Sequence, residues 1–421
     1  MKQPPLQIPD TIDLPAAERV ALPNGTALYL LPADEFEVLR VTFVFRAGTV
    51  HQRVPFAASA TANLLAEGSD RLTAREIAEQ LDYYGSYYDV SVDRDFVYLS
   101  FATLSRYFRE TLATAAEILL HPAFPEPELR TYCAKRRQEL AIERTKVETE
   151  AREAFARCLF GANHPYGVSS PAEAYDTLAR SDVEAHYRRL YTAENCFVVC
   201  SGRIGDAERA AVAALAGRLP RGTRAEVLFP APETTHEARI AHAGAVQSSI
   251  RIGRLLFPRQ HPDFLGMQVV AAALGGYFGS RLMRTLREEH GYTYGVSAAM
   301  VNFEREGYFA LATQVGTEVT EDALKLIYEQ IERLRTEQME EAELALVQNI
   351  LAGEMMRILD GPFGIADATI ENILCGTDNS AIAENLRRIR AVAPADVQRL
   401  AARYLRREDL VTAVAGELSG K

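Results

Sequence analysis

The groups in this chain with chemistry to offer are five cysteines, eight histidines and a short run of strong donors. The histidines do not converge. His236 and His242 in HEARIAH stand six positions apart, which sets them on different faces of a helix. His121 and His164 each precede a proline, in LLHPAF and NHPYG, and read as turn residues. Cys133, Cys158, Cys196, Cys200 and Cys375 are odd in number and form no metal-ligand pair, so reduced thiols packed in the core are expected. In CFVVC, Cys196 and Cys200 share one face of a strand. The donors lie in LREEHGYTY, where Arg287 and Tyr294 stand seven apart. Guanidinium and phenol can both hold a backbone carbonyl or a developing oxyanion. Just before them, LGGYFGSRL places Gly275 and Gly276 where a peptide backbone could approach closely, or where the chain simply turns between helices.

The elements that must position these groups come in two matched series. DYYGSYYDVSV aligns with REEHGYTYGVSA at one constant offset, so that Gly85 falls on Gly291, Tyr88 on Tyr294 and Leu81 on Arg287. The arginine is therefore not demanded by the repeated unit. Each copy continues with an alternating apolar run, FVYLSFAT or GYFALAT, that reads as a half-buried antiparallel strand. Two long helices follow in each half, then a helix, a turn and an apolar strand ending in Gly202 or Gly416. Between the copies, a stretch rich in glycine and proline can sustain neither helix nor central strand. The expected organisation is a first domain at 1–220, a linker at 221–238 and a second domain at 239–421. The expected fold class is α+β, with two homologous domains, each an antiparallel or mixed sheet with helices packed on one face.

A formal charge of -11 argues against nucleic acid or an anionic membrane as partner and would weakly favour basic peptides. No apolar run approaches the ~20 residues that span a bilayer. The opening MKQPPLQIPD has no apolar stretch resembling a signal sequence, so a cytoplasmic location is expected.

The order FVFRAGT, LLAEGSDRLTAREIAEQLDYYGS, LLHPAFPEPEL, LFGANHPYG and YTAENCFVVCSG, followed by LGGYFGSRLMRTLREEHGYTYGVSA, resembles the insulinase, pitrilysin and mitochondrial-processing-peptidase family of zinc peptidases over roughly residues 20–418. The resemblance implies a metallohydrolase-like fold of the LuxS and processing-peptidase type. It also implies a zinc helix bearing His-x-x-Glu-His, in which two imidazoles share a helix face and the glutamate activates water. Counting back from Gly68 and Ser69 puts that motif on SATAN: Ser59 and Asn63 hold the histidine positions and Ala62 that of the base. A third-ligand carboxylate would fall on Glu139, either a relic or a plain surface residue. A single carboxylate cannot hold zinc.

By the same resemblance, Arg287 and Tyr294 match a clamp on peptide substrate, with Gly275 and Gly276 beside it. The implied function is that of a non-catalytic subunit of a heterodimeric metallopeptidase. It would bind no cofactor itself, close a chamber around a peptide or small unfolded protein, and rely on a zinc-bearing homologue for hydrolysis. The alternatives are a structural subunit or a peptide-binding protein of the same fold with no part in proteolysis, or an enzyme with a rearranged metal site.

Overall fold

The structure is a computed structural model and describes Ile12 and residues 14–417; the amino-terminal stretch read for a signal sequence lies outside them. The first half runs β1 (Glu18–Ala21), β2 (Ala27–Pro32), β3 (Val38–Phe45), α1 (Ala57–Leu64), α2 (Ala74–Tyr83), β4 (Tyr87–Val92), β5 (Val97–Leu104), α3 (Phe108–Leu120), α4 (Glu126–Glu143), α5 (Val147–Phe160), α6 (Arg180–Leu190), β6 (Cys196–Gly202) and α7 (Asp206–Ala216). The second runs β7 (Glu237–Ala241), β8 (Gln247–Leu255), α8 (Phe264–Ala271), β9 (Val296–Asn302), β10 (Gly307–Gly316), α9 (Thr320–Thr336), α10 (Glu341–Ile358), α11 (Gly361–Leu374), α12 (Ser380–Arg390), α13 (Pro394–Tyr404) and β11 (Val411–Gly416). No helix among the described residues is long and apolar enough to cross a membrane.

The two sheets follow one plan. Their strand orders are β1-β2-β6-β3-β5-β4 and β7-β11-β8-β10-β9, so β1 is the one addition. In each, a single parallel pair (β2 with β6, β7 with β11) joins otherwise antiparallel neighbours. The glycines that close β6 and β11 are set by close approach: a Cβ on Gly202 would stand 2.0 Å from the Val38 oxygen, and one on Gly416 would stand 2.3 Å from the Ser248 Oγ. Alternation then sorts each strand by face. Leu39, Val41, Phe43 and Phe45 turn under α1, α3 and α6, where Ala62, Ile118 and Val183 complete the first core. Ile250, Ile252, Leu311 and Val315 do the same beneath the second half's helices. Each such side chain contributes about 1.5–3 kcal/mol on burial.

The opposite face of each sheet is covered by a helix from the other half. Phe155 and Leu159 of α5 pack with Val411 and Ala413 of the second sheet. Ala366 and Ile370 of α11 pack with Leu31, Val44 and Val199 of the first. The equivalent hairpins also meet, for the Asp95 carboxylate accepts from the Tyr166 hydroxyl (2.6 Å) and the Glu304 amide (2.9 Å). The connecting stretch is not a loose tether: the Glu233 and Thr235 amides donate to carbonyls at the end of α5, and Phe229 packs 5.1 Å from Tyr166. Cooperative unfolding of the two halves follows. Phe155→Ala should cost about 3–5 kcal/mol and lower one thermal transition rather than split it, as calorimetry would show.

Candidate functional site

α1 begins without a side-chain N-cap and with Phe56 at φ +66°, a conformation that bulky side chains rarely adopt. Its ring stacks on Tyr175 at 3.9 Å and 5°, and Tyr132 of α4 approaches Tyr175 edge-on. This aromatic group lies against Ser59. The Tyr132 hydroxyl is buried with no well-formed hydrogen bond, and burial pushes its pKa up to about 12, with Ser59 beside it acting the other way. Ser59 Oγ donates to the Phe56 carbonyl at 3.1 Å. Exposed Asn63 turns its amide back onto the Ser59 carbonyl at 2.8 Å. Ala62 is fully buried in the core beneath α1. None of these three side chains is an imidazole, thiolate or carboxylate of the kind that holds zinc.

Glu139 shares a face of α4 with Tyr132 and Arg136, but its carboxylate is taken by Arg136 (2.6 Å) and Lys135 (3.9 Å). No group of three or more His, Cys, Asp or Glu able to hold a metal occurs among the described residues. The residues present therefore do not fit a zinc ion.

Two histidines stand behind α1, both buried and neither facing an acid. His186 meets the Ala47 carbonyl at 3.0 Å, and His51 makes no side-chain hydrogen bond. Burial holds each at a pKa of about 4. Because the folded value lies below the unfolded one, the stability each confers is full above about pH 6.5 and is lost as pH falls through that value towards about 4. Asp95, pushed to about 6 by burial, acts in the opposite sense over the same range. Comparing wild type with His186→Gln isolates the histidine. The wild type should lose about 1.4 kcal/mol per pH unit more steeply below pH 6.5 in urea titrations.

The donor pair sits on the other half. The chain after α8 widens into π-helical turns at Ala272–Gly276 and Met283–Glu289, a departure often found at functional sites. Arg287 lies on the second, with its guanidinium 4.6 Å from the Phe278 ring centre and no ion pair. Tyr294, 90 % exposed, precedes β9 and borders a groove of about 450 Å³ with Arg251, Gln247, Gln314 and Glu148. Phe278, 62 % exposed, was not singled out in the sequence; its only signal was an aromatic residue inside a glycine-rich turn. Gly275 is buried, and a Cβ there would stand 3.0 Å from the Ala298 nitrogen, so packing on β9 requires its smallness. Gly276 is exposed at the surface beside it.

The frame is α+β with two sheets of one plan, no group of residues able to hold a metal occurs among the described residues, and Arg287 and Tyr294 stand without an ion pair on the second half. Comparisons agree. Residues 177–351 match the family model described as peptidase M16 inactive domain. An uncharacterized zinc protease of Mycobacterium tuberculosis is 22% identical over 403 residues, covering 93% of this chain and 91% of that protein. The non-peptidase homolog YmxG of Helicobacter pylori is 24% identical over 287 residues, 66% of either chain. A crystal structure of a peptidase M16 inactive domain from Pseudomonas fluorescens superposes with a TM-score of 0.89 at 22% identity, covering 96% of this chain and 99% of that one. Over nearly its whole length the chain is thus similar to M16-type peptidase proteins and shares their fold, and its residues 177–351 match the model described as an inactive domain.

Proposed function

We propose that this chain is the non-catalytic half of a two-chain metallopeptidase, in which a zinc-bearing homologue supplies the ligands and the general base. Residues 1–220 and 239–421 are then two peptidase-like domains forming one side of a chamber, and the substrate is an extended peptide or small unfolded protein. Arg287 and Tyr294, with Phe278 and Gly276 beside them, hold that peptide; Gly275 sets the turn that places them. The observation carrying this reading is a contrast within one molecule. The α1 face at Ser59 is packed with aromatic side chains and carries no zinc ligand set, while the Arg287 guanidinium has no protein partner for its charge beyond the Phe278 ring.

An arginine and a phenol can orient a carbonyl and stabilise charge developing on its oxygen, but neither can activate water as zinc does. Mixing the chain with a homologue that carries an intact His-x-x-Glu-His helix tests this. Peptide cleavage by the mixture and by neither chain alone is expected; a mixture no more active than the homologue would overturn the reading.

A further inference from the structure

Beside Ser59, and apart from the groove at Tyr294, lies a second cavity of about 240 Å³ whose wall is dominated by donors. Arg94 enters it from the β4–β5 hairpin, Arg144 from the end of α4, and Arg152 from α5. Arg144 is committed: it donates to Glu153, to Ser169 Oγ at 2.8 Å and to the Ser170 carbonyl at 2.7 Å. Glu153 is the one carboxylate on the wall, and Arg144 occupies it. The guanidinium groups of Arg94 and Arg152 make no ion pair or hydrogen bond; the nearby Asp95 carboxylate is taken by Tyr166 and the Glu304 amide. Two further donors are idle. Thr49 Oγ1 is buried without a partner. Gln52 spends its carbonyl on the Ala58 amide, and its own NH₂ group has no protein partner.

Arg94 and Arg152 are thus brought together without an ion-pair partner for either. Burial foremost, with Arg152 adding, holds the Arg94 guanidinium below its ordinary pKa, and burial and Arg152 act on Arg251 in the same direction. Arg152 therefore stands between the cavity at Ser59 and the groove at Tyr294, where Arg251 faces Glu148 at 3.4 Å. Arg94, Arg152 and Arg251 thus run from the cavity beside Ser59 to the groove at Tyr294. The net charge of -11 suggested basic peptides; at this cavity the balance is the reverse, with three arginines against the single carboxylate of Glu153.

We infer that the cavity lined by Arg94, Arg144, Arg152, Thr49 and Gln52 binds a peptide carboxylate, so that this chain selects peptides carrying an acidic side chain or a free carboxyl end at this point. A planar guanidinium matches a carboxylate in geometry as well as charge. A bound anion would also relieve the repulsion between Arg94 and Arg152. The inference deepens the reading of this surface as peptide-facing, but the chain alone suffices to test it, so a failed reconstitution with the homologue would not touch it.

Isothermal titration of the purified chain with three peptides provides the test: hexaglutamate blocked at both ends, hexaglutamine with a free carboxyl end, and hexaglutamine blocked at both ends. Binding by the first assigns the side-chain source, and binding by the second assigns the chain end. Arg152→Gln, at an exposed position, and Arg94→Gln should each weaken that binding at least about tenfold, whereas Arg75→Gln on the surface of α2 should not. Arg152→Lys should recover part of the loss. The inference fails if neither carboxylate peptide binds more tightly than the blocked hexaglutamine, if Arg152→Gln binds like wild type, or if inorganic phosphate binds and neither carboxylate peptide does.

Discussion

In a complex reconstituted with a zinc-bearing homologue, Arg287→Ala should lower kcat/KM by about 100- to 1000-fold, the range seen when one oxyanion donor is removed. The size of the effect follows from where the group stands. Arg287 forms no ion pair, so its truncation leaves no buried charge behind and costs the fold little. Its loss is felt only where a substrate oxygen would accept its hydrogen bonds. Tyr294→Phe removes a single O–H from a ring that is 90 % exposed, and should cost about 10- to 100-fold. Complex formation by size exclusion and the thermal midpoint of either variant should match wild type. Full activity in both variants would make the chain a structural subunit, as a scaffold has no use for these donors.

Regrafting the missing metal group by Ser59→His, Ala62→Glu and Asn63→His should fail, and should destabilise the chain by about 2–4 kcal/mol. Ala62 is fully buried against the core beneath α1, so a glutamate there would be a buried carboxylate without a partner. A histidine at 59 would meet Tyr132 and Tyr175, which already fill the space with Phe56. Glu139 would still be held by Arg136. Urea denaturation reads the loss, and metal analysis of the purified variant should find no stoichiometric zinc. Stoichiometric zinc with chelator-sensitive cleavage would mean that the surroundings had never closed.

The sequence made the sheets legible because strand alternation and the repeated Gly-x-x-Tyr stretches are local signals. The resemblance placed SATAN on a helix, which α1 bears out, and the residue types there supply no imidazole or carboxylate. The crossing of α5 and α11 onto each other's sheets was not legible: Phe155 and Ile370 look like any apolar stripe, and only the assembled chain shows which sheet receives them. The cavity at Arg94 was hidden for a related reason. Its three arginines are spread over residues 94 to 152 and converge only through α4, α5 and the β4–β5 hairpin. Gly275 shows the limit of reading glycine from sequence, since a close approach to β9 and a close approach to substrate leave the same letter.

The claim on which the rest depends is that nothing on α1 of this chain can bind and activate a metal-held water. Peptide hydrolysis by the purified chain, assayed with added zinc and again with a chelator, measures it directly. The account predicts no turnover in either condition and strong turnover once the zinc-bearing homologue is added. Chelator-sensitive cleavage by this chain alone would contradict it.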